Sequence, residues 1–408
     1  MLLGMGGSIV ADEIIYFAPS NLPGFFQYNK ITGKLGLLPI KETKRKEIYP
    51  VRYVGMCTLH DKIIFLPYYA SELLVYDMKY KKEVNRIHLK SKLPKSSQWY
   101  RFYIHAVPYL NFVYCIGWHD SEMLCFNIET EKISVVNTWK KAIAEVVGNT
   151  SFIGIHAYDV CVVEGNLWAP IHTRDCILEF NLQTMEARVH RVGMPDMKFA
   201  TICFDGTDFW LTGDKKRIVK WNKNTKEASY IGQFPKGFIK SSKEEKDYFY
   251  KSYYESGIVY FFPMFANMAL KVDVGICKTD IFYQWDKLLA CNVVQKWDEN
   301  TFYVEWCCEG SAKIEHSMII DVDGCILNED VMEIDIDELE WPEYIDDDAL
   351  YHEDEIMTLN RFLDKRACTG VKDKCDRCDS AGKKIYLEGK KYWIRISVKR
   401  QVDYRLFL

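Results

Sequence analysis

The chain has 408 residues, 48% of them hydrophobic and 27% charged, with a formal net charge of −4. That length exceeds one ordinary core and calls for two domains or a repeat array. The composition excludes a disordered chain, and the mild negative balance argues against a whole-protein nucleic-acid binder.

The N-terminal stretch MLLGMGGSIVADE lacks the basic region of a signal peptide and reads instead as the first strand of a repeat. No uninterrupted apolar run is long enough to span a bilayer, so no membrane association is expected. Of the 14 cysteines, Cys57, Cys115, Cys125, Cys161 and Cys203 fall inside apolar strand-like runs. Free cysteine behaves as a small buried hydrophobe, which points to reduced core thiols and a cytoplasmic setting.

The repeat shows most plainly in Asp61–Leu89, where three apolar runs are separated by short polar breaks and Gly55–Leu59 supplies a fourth. An aromatic or apolar residue followed by Asn or Asp closes the third run of each copy: Tyr28-Asn29, Tyr76-Asp77, Phe126-Asn127, Phe180-Asn181, Trp221-Asn222, Val272-Asp273 and Ile320-Asp321. Successive anchors lie 41 to 54 residues apart. An Asx side chain can bond backbone N–H groups two residues on, so this position starts a turn. The second runs align independently as IIYFAP, IIFLP, FVYCIG, NLWAP, DFWLT, IVYFFP and FYVEW, four of them ending in Pro. Proline cannot donate to a ladder and belongs at a strand end. Fourth strands are predicted at Leu35–Ile40, Ile133–Asn137 and Ala187–Arg191.

Strands at this spacing predict an all-β chain, a seven-bladed β-propeller over residues 1–334, with six blades and a stray hairpin as the alternative. The motifs LLVYDMKYKKEV and NLWAP…ILEFNLQTMEA resemble those of bacterial propellers with kelch, NHL or YVTN-type repeats, across about four-fifths of the chain. The resemblance implies a fold and is silent on activity, since propellers host binders, scaffolds and enzymes alike. A looser similarity to the streptogramin lyase group lacks that group's catalytic His and Glu pattern.

In a propeller, the turns between second and third strands share one face with the connections between blades. Five connections are long: Lys41–Tyr53, Lys90–His105, Lys140–Ile155, His190–Phe199 and Phe234–Phe249. Together they carry a net charge of +10, whereas Glu333–Glu355 holds 12 acids and no Lys or Arg. Long loops on one side of a rigid frame are where function concentrates.

On that face the alignment gathers Tyr68 and Tyr69, Trp99 and Arg101, His105, Trp118 and His119, His156, His172 and Arg174, and Lys251. Histidine can act as a base, a metal ligand or a donor to an anion, and aromatic rings beside polar groups suit sugars, nucleotides or peptides. These residues are the expected binding set for a small anionic or carbohydrate-like ligand or a protein partner. The alternative is a lyase or hydrolase with His105 or His156 as general base and a nearby cation stabilising negative charge. No phosphate-binding glycine loop or serine elbow is present.

Residues 335–408 read as a small α+β extension: an acidic linker, a helix over Tyr351–Arg366, a cysteine-containing loop and a hairpin. Cys375 and Cys378 have the C-x2-C spacing used for zinc, with Cys368 as a third ligand and no fourth following. The plainer reading of this stretch is an ordinary loop, so no cofactor is predicted, with zinc or another divalent metal at these cysteines as the lesser alternative.

Overall fold

At each of the seven Asx anchors the chain reverses, and the Asx side chain turns it. Asn29 Oδ1 accepts the N–H groups of Ile31 and Thr32 at 3.0 and 2.8 Å. Asn127, Asn181, Asn222 and Asp273 repeat the pattern with the residues two and three positions on. Asp77 caps Tyr80, and Asp321 caps Asp323 and Cys325. The computed structural model describes residues 3–20, 24–40, 52–89, 103–117, 122–148, 154–155, 159–171, 174–195, 197–241, 247–308 and 316–332. The chain divides into two units, Met1–Leu350 and Tyr351–Leu408, and every described residue belongs to the first.

The first sheet is β1 (Gly7–Ala11), β2 (Ile14–Ala18), β3 (Phe26–Asn29) and β4 (Leu35–Leu37). The second is β5 (Tyr53–Leu59), β6 (Lys62–Pro67), β7 (Glu72–Asp77) and β8 (Lys82–His88). The third is β9 (Tyr103–Tyr109), β10 (Phe112–Gly117), β11 (Met123–Asn127) and β12 (Ile133–Val136). The fourth is β13 (Cys161–Val163), β14 (Asn166–Pro170), β15 (Cys176–Asn181) and β16 (Ala187–Arg191). The fifth is β17 (Phe199–Phe204), β18 (Asp208–Gly213), β19 (Ile218–Asn222) and β20 (Ala228–Ile231). All five are antiparallel meanders in chain order.

The last sheet has seven strands: β21 (Phe249–Glu255), β22 (Ile258–Pro263), β23 (Ala266–Asp273), β24 (Lys278–Asp298), β25 (Thr301–Cys308), β26 (His316–Asp321) and β27 (Ile326–Glu329). It is two four-stranded units sharing one long strand. The first part of β24 pairs with β23 as far as Leu289, and from Leu289 onward it pairs with β25. The fourth strand of the sixth repeat and the first strand of the seventh are therefore one continuous segment.

Second and third strands read as unbroken apolar runs because each sheet is covered on both faces. Along β6 and β7, Ile63, Phe65, Leu74 and Tyr76 pack against the first sheet. Their alternating neighbours Ile64, Leu66, Leu73 and Val75 pack against the third. The period of two distributes one run between two interfaces. The fourth strands carry the exposed positions, as in β8 and the fully exposed β27.

Further clusters join the third sheet to the fourth, the fourth to the fifth, the fifth to the first half of the seven-stranded sheet, and that half to the second. A last cluster, with Leu3, Met5, Phe17 and Phe26 against Trp297, Tyr303, Ile319 and Met332, joins the two ends of the described chain. The Leu3 N–H donates to the Met332 carbonyl at 2.9 Å across that junction. The chain is all-β, built from repeated four-stranded antiparallel units, as a propeller-like repeat requires.

The connection predicted at Lys140–Ile155 is only partly a loop. It opens with helix α1 (Thr138–Val147), which buries Trp139 and Ile143 against the third and fourth sheets. The connection after the fifth sheet is likewise packed. Phe234 and Phe238 meet Tyr248 and Phe249, and the Asn267 side chain binds the backbone of Gly237 and Ile239.

First strands of neighbouring sheets approach closely, and glycine marks the contact. A Cβ on Gly7 would lie 2.0 Å from the Val54 carbonyl oxygen, and one on Gly55 would lie 3.0 Å from the Ile104 backbone. Gly7→Ala should therefore lower stability by about 1–3 kcal/mol, the usual cost of overpacking. Gly36→Ala, where a Cβ meets nothing nearer than a Gln27 side-chain atom at 3.5 Å, should stay within roughly 0.5 kcal/mol. Urea midpoints of the two variants check the difference.

Candidate ligand-binding site

Three of the first strands share a local irregularity. In β9 the pairing with β10 skips Ile104, so that Tyr103 and His105 face successive residues. In β17 it skips Ala200, and in β21 it skips Tyr250. A bulge adds one residue to one strand, kinks it and re-aims side chains. His105, Thr201 and Lys251 are the residues at which pairing resumes, so they occupy equivalent positions in three sheets.

Lys251 is the best-defined of these groups. Its Nζ lies 2.8 Å from Asp159 Oδ1, with side-chain exposures of 15% and 2%. It also sits 5.8 Å from the centre of the Tyr253 ring. Asp159 Oδ2 accepts the Ile202 N–H at 3.0 Å, the Ser252 N–H at 2.9 Å and the Ser252 hydroxyl at 2.6 Å. One carboxylate ahead of β13 thus binds the first strands of the next two repeats, β17 and β21. Burial pushes the Asp159 carboxyl above its usual value, while Lys251 and the hydrogen-bond donors pull it back.

Tyrosines surround this group. Tyr250 and Tyr253 have their hydroxyls pushed upward, first by burial. Tyr253 donates to the Val294 carbonyl at 2.8 Å. Tyr68 follows β6 in the second sheet, is buried, and stands edge-on to Tyr69 at 4.9 Å between ring centres. Its hydroxyl is raised by burial, then by Tyr69, then by Tyr250. The second and sixth repeats therefore come within electrostatic reach at this point.

The structure groups Tyr68 and Tyr69 with Tyr250 and, through it, with Lys251. His105 is half-buried on β9, opposite Ile116. Arg174 follows the fourth sheet's second strand; its N–H donates to the Ile171 carbonyl and its own carbonyl accepts the Phe199 N–H. The neighbouring Asp175 is clamped by Arg191 at 3.0 Å. Trp99, Arg101, Trp118, His119, His156 and His172 lie outside the described residues, as do Cys368, Cys375 and Cys378, residues 41–51 and 90–102 of the basic connections, and the acidic stretch 333–355. Among the described residues no group of three or more His, Cys, Asp or Glu side chains could hold a metal. No helix there is long and apolar enough to cross a membrane.

Asp159, Ser252 and Tyr250 are not in the binding set read from the sequence. Asp159 stands three residues after His156 in GIHAYD, where the histidine draws attention first. Its partners are 43 and 93 residues away, and two of the contacts are to backbone N–H groups, which leave no side-chain signal.

No family model matches the chain, and no curated protein matches it. Solved structures do. The computationally designed Ika8 protein matches with a TM-score of 0.51 at 9% identity, over 81% of this chain and 87% of its own. That similarity concerns the fold alone. A KlHsv2 variant with loop 6CD replaced by a Gly-Ser linker aligns with a TM-score of 0.47 at 8% identity, over 78% of this chain and 93% of its own.

Asp159→Ala would leave the Lys251 ammonium enclosed without its partner and two backbone N–H groups without an acceptor. The expected loss is about 3–5 kcal/mol, as for breaking a buried pair from one side. Lys278→Ala, which removes an exposed pair with Asp280, should cost no more than about 1 kcal/mol. Denaturant unfolding of both variants makes the comparison.

Proposed function

We propose that the chain is a seven-bladed β-propeller that binds a small carbohydrate-like or anionic ligand where its first strands converge, around Tyr68, Tyr69, His105, Tyr250 and Lys251. The observation that carries this reading is the Asp159 carboxylate, which holds Lys251 and binds the first strands of the fifth and sixth repeats at once. In a ring, the fourth and sixth repeats are not neighbours and meet most readily through their inner strands. The cyclic order of the packing clusters, with the last joining the two chain ends, supports the same geometry.

The chemistry of that point favours hydrogen bonding over bulk charge. Lys251 is held by Asp159, so the pair is close to neutral and offers donors without a strong positive field. Phenol rings present stacking faces and hydroxyls together, the combination that suits a sugar. A weak anion fits next best. A polyanion or nucleic acid is disfavoured by the same balance, and a protein partner would use the wider face around the site.

A second reading draws on the equivalence of His105 and Lys251 after their bulges. In a lyase or hydrolase, His105 would serve as general base and Lys251 would stabilise developing negative charge. The free and mostly buried cysteines of the described residues fit a reducing compartment.

A thermal-shift screen over sugars, sugar phosphates, nucleotides and divalent cations tests the reading. At least one sugar-like compound should raise the melting temperature of the wild type. Lys251→Met and Tyr69→Ala should weaken its binding about tenfold or more, equivalent to about 1.4 kcal/mol. No stabilising compound in the whole set would defeat the proposal, and turnover lost in His105→Ala with binding retained would favour the second reading.

A further inference from the structure

The junction between the first sheet and the last contains a buried acid that the proposed binding site does not use. Glu305, in the middle of β25, is fully buried. Its Oε1 accepts the Met5 N–H at 2.8 Å and the Tyr303 hydroxyl at 2.7 Å. Its Oε2 has no hydrogen-bond partner among the described residues. No Lys, Arg or His is paired with it there.

Around this acid the N-terminal segment is fastened at several points. Leu3 N–H donates to Met332, Gly4 accepts from Ser20, and Leu3 and Met5 are fully buried against Tyr303, Ile319 and Met332. Further out, Ser8 Oγ donates to Gln295 Oε1, and Lys30 Nζ to the Trp297 carbonyl at 2.9 Å. Of these contacts, those at Leu3, Ser8 and Lys30 rest on neutral acceptors whose state does not change with pH. The contact at Glu305 rests on one that does.

We propose that Glu305 and the Leu3–Met5 segment form a proton-sensitive latch between the first and last sheets, closed when Glu305 carries a proton and loosened when it loses it. A neutral carboxyl is tolerated in this apolar setting. A carboxylate there has two donors, no counter-cation and one bare oxygen, and separation of Leu3–Met5 lets water reach it. Burial pushes the Glu305 carboxyl up to about 7 from its ordinary 4.5, with Tyr303 and the Met5 amide pulling the other way.

The other ionisable groups on the elements packed here include Tyr16, Tyr28, Lys296, Asp298, Tyr303, Cys307, His316 and Asp321, with Lys30 and Asp330 beside them. His316 and Asp330 face each other at 4.0 Å, and Lys296 is paired with Glu255. The sign follows from linkage. The closed state holds the proton to higher pH than the open state, so raising the pH favours opening.

The test is hydrogen exchange at the Met5 amide in the full chain across pH 5–8, corrected for the intrinsic rate. Protection should fall by up to about tenfold per pH unit until the closed-state value near 7 is passed, and then level off. Glu305→Gln, which keeps an acceptor and replaces the acid proton with a neutral N–H donor, should flatten the profile. Tyr303→Phe, which removes a donor to the carboxylate, should move the bend to higher pH. A wild-type profile with no bend, or a Glu305→Gln profile with the wild-type slope, would overturn the latch. The wild-type profile decides alone if either variant fails to fold.

Discussion

A four-stranded sheet with two apolar faces cannot stand alone, and this requirement shapes the whole described chain. Every repeat places alternate residues of its second and third strands into two different interfaces. Each sheet is thus stable only between neighbours, and here the end members of the series satisfy one another by packing together. Leu3, Phe17 and Phe26 against Trp297, Tyr303 and Ile319 meet that demand. The glycines at the inner contacts are part of the same constraint, because side chains there would hold the first strands apart.

Much of this was legible in the sequence because it is written in local chemistry. The Asx anchors close the third strands at the predicted residues, and the aligned second runs coincide with β2, β6, β10, β14, β18, β22 and β25. What escaped notice has an equally physical cause. Helix α1 lies in a stretch read as a long connection between repeats, and its buried side is only Trp139 and Ile143. The fusion of two strands into β24 removes the turn residues by which the other boundaries announce themselves. Asp159 makes its contacts with strands far away in sequence, so no spacing rule reaches it.

Two of the buried acids, Asp159 and Glu305, show how one chemistry serves different ends. Asp159 is surrounded by donors and a lysine, and it ties three repeats into one inner wall while fixing the cation beside the tyrosines. Glu305 has two donors and no cation, and its neighbours are aliphatic and aromatic side chains. Desolvation acts on both, but compensation is near for one and missing for the other. The first is suited to holding a geometry still, the second to responding.

The long strand β24 bears on how such a chain can change over generations. Between most repeats, a loop absorbs gained or lost residues without disturbing the sheets on either side. At Leu289 there is no loop: the residue faces Ala266 on one side and Cys308 on the other. An inserted residue must be taken up as a further bulge, as the strand already does between Gln284 and Leu289 and at Cys291–Val293, or it inverts the facing of the side chains up to the next bulge. The sixth and seventh repeats are consequently a single heritable piece, to be duplicated, swapped or lost together.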